Sequence, residues 1–346
     1  MRLVKRLISI ILIALTGCIL IESNFVIILA DNKTIIKAAV IVYDTNATYM
    51  SEVIKNLKDI QAQNAEKVEF TFFDSNNKQA KENEIVNTIV KKKEFNILFI
   101  ALVDVNSAYD VINIAKENNI PIILFNREPP KKSAIQSYNK SIFVGTELEQ
   151  AGIFEGEILV NEWNKNKVHI DRNKDQTMQY IMLNGPKDNL EAIARAKYSV
   201  LTIKNNGIKA VELASSYSDW NDREEAKRIT ESFLLRYGDK IEAIISTNDN
   251  MAIGAIQELQ AAGYNTGIKE KTVLVVGVDA IPEARELVNK GIMTGTVIQD
   301  AYGMAEALYV TGMNLASNKK PLDGTNYKFD DSRVVIRIPY KKYNPS

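Results

Sequence analysis

The sequence predicts an α/β protein built as two doubly wound parallel-sheet lobes with a cleft between them. Three observations carry that expectation. Short β-branched apolar runs alternate with segments whose apolar residues recur every three or four positions, the repeats of strand and helix. The alternation begins at Ile35, breaks in composition over 126–138 around Pro129 and Pro130, and then starts again. A chain of 346 residues is also long enough for two domains of ordinary size.

In the first half, strands are expected at 36–43, 68–73, 97–102 and 120–125, and helices at 49–61, 85–92 and 108–117. Val53, Ile54, Leu57 and Ile60 give the first helix one apolar face. The Asn118-Asn119 turn separates the third helix from the strand that follows. In the second half, strands are expected at 178–183, 210–213, 241–246, 273–278 and 294–297, with a last short one at 334–338. Helices are expected at 191–204, 222–237, 251–262, 281–289 and 301–317. The break at 126–138 reads as a crossing between lobes.

The stretch 241–254 is the clearest unit. Glu242, Ile244 and Ile245 open a strand, Thr247-Asn248-Asp249 forms a polar turn, and Ile253, Ile256 and Leu259 stripe a helix closed by Gly263. Ligands of open parallel sheets bind at the carboxyl ends of strands, which is where Asn248 falls. Glu242 sits at the other end of the strand, roughly 20 Å away at ~3.3 Å per residue. If both residues are functional, they belong to two different sites.

Composition narrows the chemistry. Forty-three basic and forty-three acidic side chains cancel, so no nucleic-acid partner is expected. One cysteine, Cys18, and one histidine, His169, leave almost no room for disulfides, Cys/His zinc sites or Ser-His-Asp hydrolysis. Gly145, Gly185 and Gly277 are single glycines at strand ends rather than phosphate loops, so no nucleotide cofactor is expected.

The N-terminus carries Arg2, Lys5 and Arg6, an apolar run over 7–15, and then Leu15-Thr16-Gly17-Cys18. A basic head, a short apolar core and small residues make a secretory signal. Leu-Thr-Gly-Cys resembles the bacterial lipoprotein processing site, with Cys18 the lipidated first residue. The alternative is an ordinary signal cut after Ala30. The chain is therefore expected to be exported, as a cell-surface lipoprotein or in the periplasm.

Over nearly all of 36–340 the chain resembles the galactose/glucose-binding proteins of bacterial sugar ABC transporters. The motifs that carry the resemblance include Tyr49-Met50-Ser51, Asp74-Ser75-Asn76-Asn77, Phe125-Asn126-Arg127-Glu128-Pro129 and Val144-Gly145-Thr146. Asn248-Asp249-Asn250-Met251-Ala252, Gly277-Val278-Asp279-Ala280, Gly295-Thr296-Val297 and Asp323-Gly324-Thr325-Asn326 continue it. The resemblance implies two Rossmann-like lobes joined by a three-strand hinge, the periplasmic binding protein type I fold. The expected division is a signal or lipoprotein segment at 1–30, an N-terminal lobe of 31–126 and 299–326, and a C-terminal lobe of 127–298 and 327–346.

Two sites follow. Asp171, Asn173, Asp175, Thr177 and Gln179 place oxygen donors at alternate positions of one run, a pattern that suits Ca²⁺. The resemblance adds Glu242 as a bidentate ligand from a distant strand. Gln176 stands where glycine is usual for the sharp turn. For sugar, the resemblance places Tyr49 and Trp220 as an aromatic sandwich, with Arg195, Asn248 and Asp279 as hydroxyl partners. Asn189 and Glu191 occupy the positions of a family histidine and aspartate, and Gln299 that of a hinge asparagine. Ala47 and Ala101 stand where the family has an aspartate and an asparagine, so the first lobe has lost polar atoms.

The expected function is a non-enzymatic, monomeric receptor that closes on a monosaccharide and delivers it to ABC permease subunits. The sugar is galactose/glucose-like, or a pentose or modified hexose. A chemoreceptor or sensor kinase is the alternative partner, and a sugar-acting enzyme the distant alternative. The repressors that share the fold would need a DNA-reading helix pair where this chain has its signal segment.

Overall fold

The structure, a computed structural model, describes residues 35–220 and 222–344. The signal segment and Cys18 lie outside the described residues. Among those residues, no helix is long and apolar enough to cross a membrane.

The first sheet has the order β11-β5-β4-β3-β1-β2. Its strands are β1 (Ile36–Val42), β2 (Val68–Asp74), β3 (Ile97–Ile100), β4 (Ile122–Phe125), β5 (Ser141–Thr146) and β11 (Val335–Ile338). All five pairings are parallel. The second sheet has the order β12-β10-β9-β8-β6-β7. It contains β6 (Thr177–Asn184), β7 (Lys209–Tyr217), β8 (Ala243–Ser246), β9 (Leu274–Asp279), β10 (Gly295–Ile298) and β12 (Lys341–Tyr343). Only β12 runs antiparallel, against β10.

Helices cover both faces of each sheet. Those of the first lobe are α1 (Thr48–Gln63), α2 (Gln79–Lys92), α3 (Ala108–Glu117), α4 (Lys132–Gln136) and α10 (Ala301–Ala316); α10 joins α1 in one core through Met304, Leu308 and Leu315. Those of the second are α5 (Gln150–Ile170), α6 (Leu190–Asn205), α7 (Arg223–Tyr237), α8 (Asp249–Ala261) and α9 (Pro282–Asn289). Because each sheet is covered on both sides, its central strands are apolar along their whole length: Ile97–Ile100, Ile122–Phe125 and Ala243–Ser246 are buried at every residue. Truncating a fully buried Leu57 or Phe99 in such a core costs about 2–5 kcal/mol.

The domain boundaries differ from the sequence expectation. Strand β5 pairs with β4, from Ile122 with Ser141 to Phe125 with Val144, and β11 pairs with β5. Residues 127–146 and 327–338 therefore belong to the first lobe, not the second. The chain changes lobes between β5 and α5, between β10 and α10, and between β11 and β12. Pro129 and Pro130 do mark a break, but it is a loop beside the cleft and not a crossing. Helix α5, 21 residues long, was not expected. It is kinked at Asn166, and its buried Glu155 interrupts the apolar stripe of Ile158, Leu159 and Trp163.

Candidate functional site

In each lobe the strand order reverses between two central strands, β1 and β3 in the first sheet and β6 and β8 in the second. The carboxyl ends at these switch points face each other across a cleft, where ligands of such sheets bind. Its wall is built from strand ends: Tyr43 after β1, Asn126 and Arg127 after β4, Pro186 after β6, Asn248 after β8, Asp279 ending β9 and Gln299 after β10. Tyr49 on α1, Glu191 and Arg195 on α6, and Trp220 before α7 complete it. The space between them is about 650 Å³, part of it open to solvent.

Arg195 is the most heavily bonded group in the wall. Its Nη1 donates to the Thr247 carbonyl at 2.7 Å and lies 4.0 Å from Asp279 Oδ1. Its Nη2 donates to Gln299 Oε1 at 2.8 Å and to Tyr340 Oη at 3.0 Å. The Nε–H is buried without a protein partner. Trp220 stands over this guanidinium, 5.5 Å from ring centroid to carbon, and donates its indole N–H to Thr247 Oγ1 at 3.2 Å. Gly185 lets the ring in: a Cβ there would sit 1.9 Å from the indole nitrogen. Asn248 accepts from Met251 N as the cap of α8 and donates to the Trp220 carbonyl at 2.9 Å. The loop that carries the aromatic is thus tied to the strand end that carries the amide.

Asp279 opens a strained turn, with φ of 116° at Asp279 and 54° at Ala280, a region that L side chains rarely adopt. Burial pushes its carboxyl up to about 7, against the pull of Arg195. Behind it, Asp249 accepts from Thr296 Oγ1 at 2.6 Å and from Ile281 N at 2.9 Å, and burial holds it well above the usual carboxylate range. Glu191 is also raised by burial, and its Oε1 accepts from Glu128 N of the first lobe at 3.4 Å. Glu128 is gripped in turn by Arg337, at 2.5 and 2.9 Å.

The first lobe contributes residues that the sequence reading left out. The Arg127 guanidinium lies 3.6 Å over the Tyr43 ring and donates to the Val103 carbonyl at 3.1 Å. Asn77 and Asn126 lie beside it. The position of Tyr43 and Arg127 just past strand ends was a signal for both. Of the two alanines, Ala47 lines the cleft, whereas Ala101 is fully buried and is not on the wall. Asn189 also departs from expectation. Its Oδ1 caps α6 by accepting from Ala192 N at 2.9 Å, and it faces a neighbouring pocket with Asp104, Asp188 and Arg127.

The second set of donors lies at the opposite end of the second sheet. Glu242 accepts from Gln179 N at 2.9 Å and from Arg172 N at 3.2 Å, and burial pushes it up to about 7. Asp171 Oδ2 accepts from Gln176 N at 3.0 Å, and Asp175 Oδ2 from Asn173 Nδ2 and Gln179 Nε2 at 3.0 and 2.9 Å. Asp171 Oδ1 and Gln179 Oε1 are buried without partners. Gln176 has φ of 60°, the turn for which glycine is the usual choice. Among the described residues no three His, Cys, Asp or Glu side chains group closely enough to hold a metal. A cation here would therefore also need the amide, hydroxyl and main-chain oxygens of the loop.

Residues 38–320 match the model of the periplasmic binding protein domain. The D-galactose/methyl-galactoside binding periplasmic protein MglB of Haemophilus influenzae is 33% identical over 311 residues, covering 90% of this chain and 89% of that protein. The ribose import binding protein RbsB of Escherichia coli is 25% identical, covering 70% and 74%. An ABC transporter solute binding protein of Bacillus halodurans, solved with bound myo-inositol, superposes with a TM-score of 0.73 at 24% identity, over 90% of this chain and 96% of that one. That last likeness speaks for the fold alone. By the domain match and the MglB identity, the chain belongs to the periplasmic binding protein family, with the exported sugar-binding receptors of ABC transporters rather than with enzymes.

Proposed function

We propose that this receptor closes its two lobes on one monosaccharide and presents the closed form to ABC permease subunits. The observation that carries the reading is the second-lobe wall, where Arg195, Asn248 and Trp220 are fixed by protein bonds and Asp279 by a strained turn around a single cavity. Pyranose hydroxyls need charged and amide partners, and the C–H faces of the ring need aromatic ones, here Trp220 and Tyr49. The first-lobe edge offers Arg127 and the amides Asn77 and Asn126 where the resembling proteins offer an aspartate. Without that carboxylate acceptor, a sugar with fewer hydroxyls on this edge suits the rim, such as a pentose or a substituted hexose. Titration calorimetry with D-galactose, D-glucose, D-ribose, D-xylose, L-arabinose and myo-inositol tests this. Submicromolar binding of at least one sugar is expected. Silence across the panel overturns the sugar reading, and binding of glucose or galactose alone overturns the pentose preference.

The loop 171–179 with Glu242 serves as a Ca²⁺ site in this reading. Two buried oxygens without partners, Asp171 Oδ1 and Gln179 Oε1, stand beside the carboxylates of Asp175 and Glu242 in a set made only of oxygen. Bound there, the ion would be structural, remote from the sugar. Cys18 is the membrane anchor in the same reading; mass spectrometry of the mature protein should find diacylglyceryl on Cys18, and an N-terminus at Asp31 would exclude it. The receptor acts as a monomer. A chemoreceptor or sensor kinase that reads the same closed form would be revealed by sugar-dependent capture from membranes.

A further inference from the structure

We propose that Tyr340 is the positioning residue for Arg195 and couples this sugar-facing guanidinium to all three crossings between the lobes. The inference rests on Arg195 contacting the sugar. Tyr340 lies in the third crossing, between β11 and β12, and Gln299 in the second, directly after β10. Thr146, the last residue of β5, opens the first. Arg195 Nη2 bonds both Gln299 Oε1 and Tyr340 Oη, and Tyr340 Oη lies 2.9 Å from Thr146 Oγ1. All four residues are buried.

Valence fixes the direction of the first step. Arginine only donates, so Tyr340 Oη accepts from it, while either hydroxyl can donate in the bond between Tyr340 and Thr146. The main chain of Tyr340 adds a link across the first crossing, its N–H donating to Gln150 Oε1 at 2.6 Å. With one Nη1 hydrogen given to Thr247 and both Nη2 hydrogens to the crossings, Nε–H and the second Nη1 hydrogen are the donors left for a ligand. Their aim depends on where the crossings stand. A rotation of the lobes that separates Gln299 from Tyr340 pulls the guanidinium out of register with Trp220 and Asp279. Hydrogen bonds of a charged donor in a buried site are strong enough to carry such a coupling.

Tyr340→Phe keeps the ring and removes the one oxygen, so the variant is built to fold. Its sugar-free crystal structure should show Arg195 moved from its place against the Thr247 carbonyl; an unmoved side chain overturns the proposal. With the panel sugar that the wild type binds best, Tyr340→Phe should lose roughly tenfold in affinity, mainly through faster release. Thr146→Val should lose a smaller factor, and the double variant no more than Tyr340→Phe alone. Wild-type affinity in Tyr340→Phe, or losses that multiply in the double variant, overturns the coupling. If no panel sugar binds the wild type, the sugar reading fails by itself, and the crystal structure still decides the position of Arg195.

Discussion

The two lobes share one topology, β2-β1-β3-β4-β5 and β7-β6-β8-β9-β10, yet present opposite kinds of surface to the cleft. On the second lobe, Arg195, Trp220 and Asn248 are each held by protein hydrogen bonds, and Asp279 by a strained turn. On the first, the wall is Tyr49, an arginine stacked on Tyr43 and tied to the Val103 carbonyl, two amides and an alanine. A side chain already fixed by its neighbours loses little entropy when a ligand arrives, whereas a longer, less constrained one must be ordered. In the proposed reading the second lobe is thus the template that orients the sugar, and the first closes over it and selects among its edges.

Four measurements sharpen or break this contrast. The largest effect should come from Trp220→Ala, which removes an indole held by Thr247 and received by Gly185. Losing one aromatic face should weaken sugar binding about a hundredfold or more. A loss below tenfold in calorimetry would deny the second lobe its leading role. Arg127→Met keeps most of the stem but removes the charge over Tyr43, and should cost about tenfold in affinity. A loss as large as that of Trp220→Ala would make the two lobes equal partners.

Smaller still is the effect of pH through Asp279. Its folded pKa, pushed up to about 7 by burial, lies above the ordinary aspartate value near 4. Between those values the folded state holds a proton that the unfolded state has released. Its contribution to sugar-free stability is therefore present at low pH, declines as pH rises through that window, and levels off above about 7. Affinity should move the other way, falling a few-fold from pH 8 to pH 6 as the hydroxyl-accepting carboxylate takes up a proton. Asp279→Asn should flatten the affinity profile and remove only its own share of the stability profile, since Asp249, Glu191 and Glu242 are raised by burial as well. An unchanged affinity profile in that variant would remove Asp279 from the account. The least effect on affinity should come from chelating calcium. Because an ion that binds only the folded state stabilises by mass action, the melting temperature should fall by several degrees while sugar affinity holds. Glu242→Gln should abolish the calcium dependence; a melting curve indifferent to chelator would sink the site.

Much of the fold was legible because central strands of covered sheets must be apolar along their length, and runs such as 97–102 and 273–278 announce this directly. The strand-end rule likewise pointed to Asn248. What escaped depended on partners remote in sequence. Ser141–Thr146 and Val335–Ile338 are short strands whose lobe is set only by pairing with each other and with β4. Helix α5 hides a buried carboxylate, Glu155, where a clean apolar stripe would have betrayed it. Arg127 looked like part of a linker because two prolines follow it, and only its approach to Tyr43 brings it into the site. Asn189 matched a sugar-binding position in sequence, but its oxygen is taken up by the helix it begins.

The placing of β11 and β12 has a consequence for how the molecule is made. Each forms the edge of a different sheet, and both are synthesised within residues 335–343. A ribosome that has delivered the first three hundred residues has completed neither lobe, since one sheet still lacks the strand that covers β5 and the other the strand that covers β10. Contacts of such long sequence separation form late. For an exported protein this delay is useful: a chain that reaches its closing strands last stays threadable while it crosses the membrane, and both lobes seal together on the far side.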